Sequence, residues 1–499
     1  MIAADMQSIL TDKHRQLIAW MAGAILVSIL LYKYFWTFFA FDVPLGYDAG
    51  IYRYLLLRYA EAFPVFPTLD GWAREQPMGL FLLFAPFLKF FPVELVLGPL
   101  WNAMPVLLAL ALAWVIGKRE GRTVAFFVLL MSVLSIAQYH GFLAMYWKTF
   151  VALFTMIFAF HFLEKKSWVA VPFGVLTIAM HQQTGFLFLS TLILWILIKL
   201  FERSPLAKKW VPLWVFLICA GGVLSYIPLW NTAVGSNLRA IFSSFGQMPA
   251  GSFESLSFFL FHSGILLALG FFGLVLSFRR ERGTLWQCAA ILSFLFVISH
   301  FFFYRRFILQ MDFFLLPFAA YAVPALWRHK KTYAFRTLLI VLILVQGLST
   351  AHAVHPETFP LWCSFNASRC KAFPPLRAAP EVTAAFLEEL KAVEADLPDN
   401  AMILSLEPQV TPWLRGWLPH HRIAGPGIFS SPWDYDGWER FLLGTNADRR
   451  TLLKGMKAPM YLFVTPLFTS YYQENAEKFL NDPCFEETSS PHLLTVTCL

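Results

Sequence analysis

Along most of the chain, long and nearly uncharged apolar runs alternate with short polar connections. Twelve runs stand out, near 17–39, 78–91, 95–116, 123–139, 149–163, 168–180, 185–201, 210–230, 257–278, 284–303, 307–327 and 335–352. A helix of roughly 20 such residues crosses a hydrocarbon core about 30 Å thick. The run 78–91 is the exception, at about 14 residues with Pro86 and Lys89 inside it, the size of an interfacial or re-entrant segment. Between the first two runs, the loop 40–77 changes pattern: after Asp48, the residues Ile51, Leu55, Leu56 and Tyr59 fall at helical spacing, with Arg53, Arg58 and Glu61 elsewhere. That predicts an amphipathic helix lying on a membrane surface. Beyond about residue 353 the pattern changes again. Glu381 to Ala395 has the period of a helix, whereas Ala401–Leu406, Met460–Thr465 and Leu493–Cys498 read as short buried strands.

Composition agrees with a membrane protein. Apolar residues make up 58% of the 499, aromatic residues 17% and charged residues 14%, against roughly 25% charged in a soluble domain. The net charge of +8 points to loop placement and not to nucleic acid. If 78–91 does not cross, eighteen Lys and Arg, from Lys13 to Arg336, collect on one side. Only seven (Arg53, Arg58, Arg74, Lys148, Arg239, Arg305 and Arg306) face the other. If it does cross, the positive-inside bias inverts. The expectation is eleven spans, a cytoplasmic N-terminus whose first run is an uncleaved anchor, and 78–91 along the outer interface. The expected fold class is mainly α and polytopic, residues 1–352, with a small extracytoplasmic α/β domain at 353–499. Cysteine placement fits: Cys219 and Cys288 fall in spans, whereas Cys363, Cys370, Cys484 and Cys498 fall outside. Four external thiols suggest two disulfides, most simply Cys363–Cys370 and Cys484–Cys498, among three connectivities. No paired CxxC supports zinc.

This topology gathers Asp42, Asp48, Tyr52, Arg53, Arg58, Glu75, Gln76, His140, Tyr146, Lys148, His181, Gln182, Gln183, Tyr304, Arg305 and Arg306 on the outer side. Ionisable groups near a bilayer are costly unless they meet partners or line a wet cavity, so their convergence marks a site. The plainer alternative is a set of interfacial anchors. For Asp48 it is a helix N-cap, worth about 0.5 to 2 kcal/mol.

The order of these pieces resembles the membrane-embedded glycosyltransferases of the GT-C superfamily, with the lipid A aminoarabinose transferases and protein O-mannosyltransferases as the nearest likeness. A span is followed by an external Asp, an amphipathic helix carrying Tyr52 and Arg53, and a Glu-x-Pro step at Glu75-Gln76-Pro77. Arg305-Arg306-Phe307 then enters a span containing Pro317, and LPDNAMILSL and HHRIAGPG resemble the tails of such enzymes. The likeness covers nearly the whole chain through short motifs in a specific order. Three departures stand out: no Glu follows Asp48, Gln76 takes the place of a lysine, and MHQQTG replaces a Lys-Gly.

The resemblance implies transfer of a sugar from a polyprenyl-phosphate donor to an acceptor hydroxyl of a lipid, protein or glycan, with inversion, at the extracytoplasmic face of the cell membrane. Asp48 is then the base, since a carboxylate in a partly dry, aromatic-lined cleft suits proton abstraction. Arg305 and Arg306 would hold the leaving phosphate, because guanidinium matches phosphate oxygens in a bidentate way. Arg74 or Lys148 would supply the charge missing at Gln76. Tyr52, Arg53, Glu75 and His181 complete the expected substrate contacts. Asp42, Asp48 and Glu75 offer hard ligands for Mg²⁺ or Mn²⁺, but without a carboxylate next to Asp48 the expectation is no metal. The long 231–256 segment suits a lid, and Asn366-Ala367-Ser368 fits a glycosylation sequon. The competing readings are a lipid-linked glycan flippase or transporter, against which no internal repeat is seen, an O-antigen ligase or polymerase, and an inactive scaffold.

Overall fold

The computed structural model describes residues 12–498 except 45, 47, 70, 204–209, 231–249, 330–331, 356–381, 426–431, 455, 457–458 and 491. The chain divides into two compact units. One holds Met1–Thr37, Pro99–Pro228 and Gly235–Pro374, and the other Phe38–Gly98, Leu229–Val234 and Pro375–Leu499.

The first unit is helical. Among the described residues, six helices of the chain are long and apolar enough to cross a membrane: Gln16–Ala40, Val93–Glu120, Trp147–Glu164, Gln182–Phe201, Tyr304–Arg328 and Tyr333–Val354. The number rises to eight if each of two bent pairs is one span. The protein is a multi-pass membrane protein of mainly helical fold. The Phe307–His329 helix is the most buried of them, with Ile308, Leu309, Gln310, Phe314, Ala319 and Ala322 all excluded from the surface. At Gly273 its neighbour Gly264–Ser277 comes so close that an added Cβ would lie 1.9 Å from the Phe318 carbonyl oxygen.

Two runs that read as continuous spans are broken. In the first, Arg122–Leu134 and Ile136–Leu143 meet at 53°. Ser135 between them is extended, and its Oγ accepts from the Gln138 amide to start the second half. Leu256–His262 and Gly264–Ser277 meet at 94° across Ser263. Ser135 caps because a serine hydroxyl offers an alternative partner to nearby backbone, whereas Ser263 makes no capping hydrogen bond through its side chain. The runs at 168–180, 210–230 and 284–303 form shorter helices, Ala170–Met180, Trp210–Leu224 and Leu285–Ile298.

In the second unit, Ala49–Ala62 is the expected amphipathic helix, with Ile51, Leu55, Leu56 and Tyr59 buried as its spacing requires. The 78–91 run folds as a six-residue helix, Gly79–Phe84, and a single 3-10 turn, Phe87–Lys89. At 1.5 Å per residue, six residues advance only about 9 Å, far short of a bilayer.

The C-terminal part of the unit is a five-stranded sheet of order β2-β1-β3-β5-β4. The strands are β1 (Met402–Ser405), β2 (Arg422–Ala424), β3 (Met460–Phe463), β4 (Phe485–Glu487) and β5 (Leu493–Val496). The pairs β1–β2 and β1–β3 are parallel, whereas β3–β5 and β4–β5 are antiparallel. Leu404, Leu462, Phe441, Leu453, Phe468 and Phe479 form its core. The periodicity found β1, β3, β5 and the Ala384–Asp396 helix. It missed β2 and β4, each three residues long, too short for alternation to register. Cys484 and Cys498 form a disulfide, as expected. The expected Cys363–Cys370 pair and the Asn366 sequon lie outside the described residues.

Candidate functional site

Asp48, Tyr52, Arg53, Arg74 and Glu75 belong to one unit and Lys148, His181, Arg305 and Arg306 to the other, so each group is built separately.

Asp48 occupies the N-cap position of Ala49–Ala62 and its carbonyl accepts the first helical bond, from the Tyr52 amide at 2.9 Å. Its side chain makes no capping hydrogen bond, which corrects the capping alternative. Tyr52 is buried and its ring lies 6.1 Å from that of Phe81. The same Phe81 stacks on Tyr59 at 5.4 Å, and burial pushes the Tyr59 phenol up to about 12.

Arg53 is taken up by tertiary contacts. One guanidinium nitrogen donates to the Gly416 carbonyl at 2.6 Å, another pairs with Glu94 at 3.2 Å, and the plane lies 4.7 Å above the Trp417 ring. Arg415 answers it from the Thr411–Trp417 helix, donating to the Tyr54 hydroxyl at 2.7 Å and to the His421 carbonyl at 2.6 Å. The two helices touch at glycines: a Cβ on Gly50 would lie 2.0 Å from the Pro412 carbonyl oxygen, and one on Gly416 would lie 2.5 Å from that of Gly50. The helix that begins at Asp48 is thus clamped by the C-terminal sheet domain. Arg74 donates from Nε to the Leu69 carbonyl at 3.0 Å and stays exposed, as does Glu75, whereas Gln76 is buried.

In the other unit, Arg305 and Arg306 sit in a 3-10 turn, Tyr304–Arg306, at the head of Phe307–His329. Phe303 just before them has φ 53°, a left-handed conformation that a bulky residue rarely adopts. Such outliers persist where surrounding structure over-determines them, often near sites. The Arg305 amide donates to the Ala250 carbonyl at 2.9 Å. Gly251 beside it has φ 88°, with the Phe303 carbonyl 3.5 Å from its Cβ position, so the C-terminal end of the 231–256 segment is tied to the arginine turn. Residues 231–249 lie outside the described set.

The Arg306 guanidinium donates to Ser252 Oγ at 3.3 Å and lies 5.1 Å from the Phe303 ring centre and 5.8 Å from that of Tyr146. The Nε atoms of both arginines are buried without a hydrogen-bond partner among the described residues. A buried guanidinium donor left open costs free energy unless a ligand or water completes it. His181 is the N-cap of Gln182–Phe201, its Nδ1 lying 2.9 Å from Thr184 Oγ1 and 3.3 Å from Thr149 Oγ1. The charges of Lys148 and Arg306 both act on it. The Tyr146–Thr149 stretch thus meets Arg306 through the Tyr146 ring and His181 through Thr149.

Two charged residues within spans escaped the sequence reading: Lys33 and Asp312, 3% and 2% exposed. The signal was present, since each is a lone charge in a long apolar run. Among the described residues no three His, Cys, Asp or Glu side chains come together in a way that holds a metal ion.

No family model matches this sequence, and no curated protein matches it either. Solved structures do. The Archaeoglobus fulgidus oligosaccharyltransferase in its apo form superposes with a TM-score of 0.56 at 12% identity, over 91% of this chain and 70% of that one. The same archaeal protein in complex with Zn and sulfate gives 0.54 at 12% identity, over 90% and 69%. ArnT from Cupriavidus metallidurans in the apo state gives 0.51 at 14% identity, over 97% of this chain and 98% of that one. Both neighbours are GT-C glycosyltransferases, and the chain shares their fold.

Proposed function

We propose that this protein is a membrane glycosyltransferase that moves a sugar from a polyprenyl-phosphate donor to an acceptor hydroxyl, with inversion, at the extracytoplasmic face of the cell membrane. The observation that carries the reading is the end-to-end fold match with ArnT, over 97% of one chain and 98% of the other. The two buried arginine Nε atoms at the head of Phe307–His329 support it as the place of the donor's phosphate. In this reading the two bent pairs each cross once and the three shorter apolar helices cross as well. Together with the six long ones they make eleven spans. The basic loops then face the cytoplasm, while the 79–89 segment and the C-terminal domain lie outside.

The chemistry follows from charge. Asp48 accepts the proton of the acceptor hydroxyl as its oxygen forms the new bond to the anomeric carbon. The bond from that carbon to the phosphate oxygen breaks, and its electron pair leaves with the polyprenyl phosphate. Arg305 and Arg306 neutralise that growing charge through hydrogen bonds to ionised oxygens, the stronger class. Lys148 and His181 are assigned to the donor, and Arg74 and Glu75 to the acceptor. Gly251 and Ser252 stand at the arginine turn, beside the proposed place of the donor's phosphate. The acceptor is a membrane lipid, a glycan or a protein; nucleic acid has no part.

Removing the base is the direct test. Asp48→Asn should lower transfer of a polyprenyl-phosphate-linked sugar by about 10²–10⁴-fold while the protein still purifies as a folded monodisperse species. Transfer at near wild-type rate would remove Asp48 from the base role.

A further inference from the structure

The break between Arg122–Leu134 and Ile136–Leu143 leaves carbonyl oxygens of the first half without helical donors, deep among apolar helices. Lys33 meets them. Its ammonium donates to the carbonyls of Ser132 at 3.3 Å, Val133 at 2.9 Å and Ser135 at 2.6 Å. An ammonium has three hydrogens, so all are used on the break, and irregular backbone at membrane depth needs such partners. The charge is countered by Asp312, which acts on Lys33 electrostatically. The Asp312 carboxylate accepts from Ser135 Oγ at 2.6 Å and from Gln138 Nε2 at 3.1 Å.

Those bonds also fix the second half of the broken helix against the start of Phe307–His329. Gln138 Nε2 donates to the Leu309 carbonyl at 3.2 Å, and a Cβ on Gly141 would lie 2.9 Å from the Leu309 side chain. Asp312 and Leu309 lie on the same helix as the arginine turn, one to two helical turns beyond it. The half-helix they hold leads directly into Tyr146, over whose ring Arg306 lies, and into Lys148.

We infer that Lys33 and Asp312 are a positioning pair: together they set the angle of the broken span and so hold Tyr146 at the Arg306 guanidinium, with Lys148 two residues further along. The assignment rests on the proposed phosphate role of Arg306, and its test separates the two. Spin labels at Thr123→Cys and Ala144→Cys, one on each side of the break, report the angle as a distance without reference to activity. Binding of decaprenyl phosphate reports the consequence.

Lys33→Met should shift or broaden the distance distribution by several ångströms and weaken decaprenyl phosphate at least tenfold, with kcat at saturating donor within twofold. Asp312→Leu should do the same. Asp312→Asn, whose amide oxygen still accepts from Ser135 and Gln138, should fall between it and wild type. The double variant Lys33→Met/Asp312→Leu should remain displaced, because the three carbonyls still lack donors. Full recovery in the double would reduce the pair to charge balance and overturn the assignment. An unchanged distance in folded Lys33→Met overturns the positioning role. A changed distance with unchanged decaprenyl phosphate affinity overturns the link to the phosphate group. If Lys33→Met does not fold, Lys33→Gln and Asp312→Asn carry the same comparison. Absence of transferase activity in the wild-type protein would count against the proposed function alone, since the label distances do not depend on it.

Discussion

The first external helix and the turn at the head of Phe307–His329 use arginine in opposite ways. Arg53 spends its guanidinium inside the protein, on Gly416, Glu94 and the Trp417 face. Arg306 has one long bond to Ser252 and two aromatic neighbours, and its Nε, like that of Arg305, has no partner among the described residues. Both looked alike as outer-side basic residues. The difference lies in saturation: the Arg53 guanidinium has donors filled by a carbonyl and a carboxylate and an aromatic face beneath it, whereas Arg305 and Arg306 each keep a buried Nε donor with no partner among the described residues, the state the proposed phosphate role requires.

The contrast breaks most readily at the arginine turn. Replacing both Arg305 and Arg306 by Ala should raise the KM for a polyprenyl-phosphate donor by more than about tenfold, since one hydrogen bond to a charged group is worth about 1.5–3 kcal/mol. Unchanged donor dependence would leave the two regions equivalent. A smaller effect, on stability, is expected at the clamp. Gly50→Val forces a side chain against the Pro412 carbonyl and should cost about 1–3 kcal/mol, read as a lower midpoint of thermal unfolding. Arg53→Ala should act in the same direction while leaving donor KM within twofold of wild type. A large rise in donor KM with Arg53→Ala would return that residue to the substrate.

The smallest expected effect concerns pH. His421, next to the clamp, is buried and lies 3.7 Å from Glu394. Burial holds its proton affinity below the ordinary imidazole value of 6.5; His420 repels the charged form too, while Glu394 and Asp399 favour it. The unfolded chain therefore takes a proton that the folded one refuses. Stability from this group is present above pH 6.5 and is lost as the pH falls through that value. Burial raises the proton affinity of Glu394, an effect of opposite sign that acts from the carboxylate range upward. His421→Asn isolates the histidine, and should flatten the fall of the unfolding midpoint between about pH 7 and pH 5. An unaltered slope would exclude His421 as its source.

Much of the fold was legible because bilayer burial writes long apolar runs and a surface helix writes a 3.6-residue period. The spacing of Ile51, Leu55, Leu56 and Tyr59 marks the Ala49–Ala62 helix. The breaks at Ser135 and Ser263 were not legible, since a single serine in an apolar run is as common in unbroken helices; the break shows only when Lys33 and Gln138 meet it. Strands of three residues, such as Arg422–Ala424, carry too few positions to alternate. At the site, residue type showed which side chains can bind phosphate, but not which have donors open. Arg53 and Arg306 differ by partners far away in sequence, Gly416 and Ser252, that no local pattern reveals.

The account depends most on Asp48 and Arg305 facing the same compartment. Single cysteines at Asp48→Cys and Arg305→Cys, in a background with Cys219 and Cys288 and also Cys363 and Cys370 replaced by serine, can be treated in sealed cells with a membrane-impermeant maleimide. Labelling of both from outside is the predicted result. Labelling of one from outside and of the other only after the membrane is opened would contradict it.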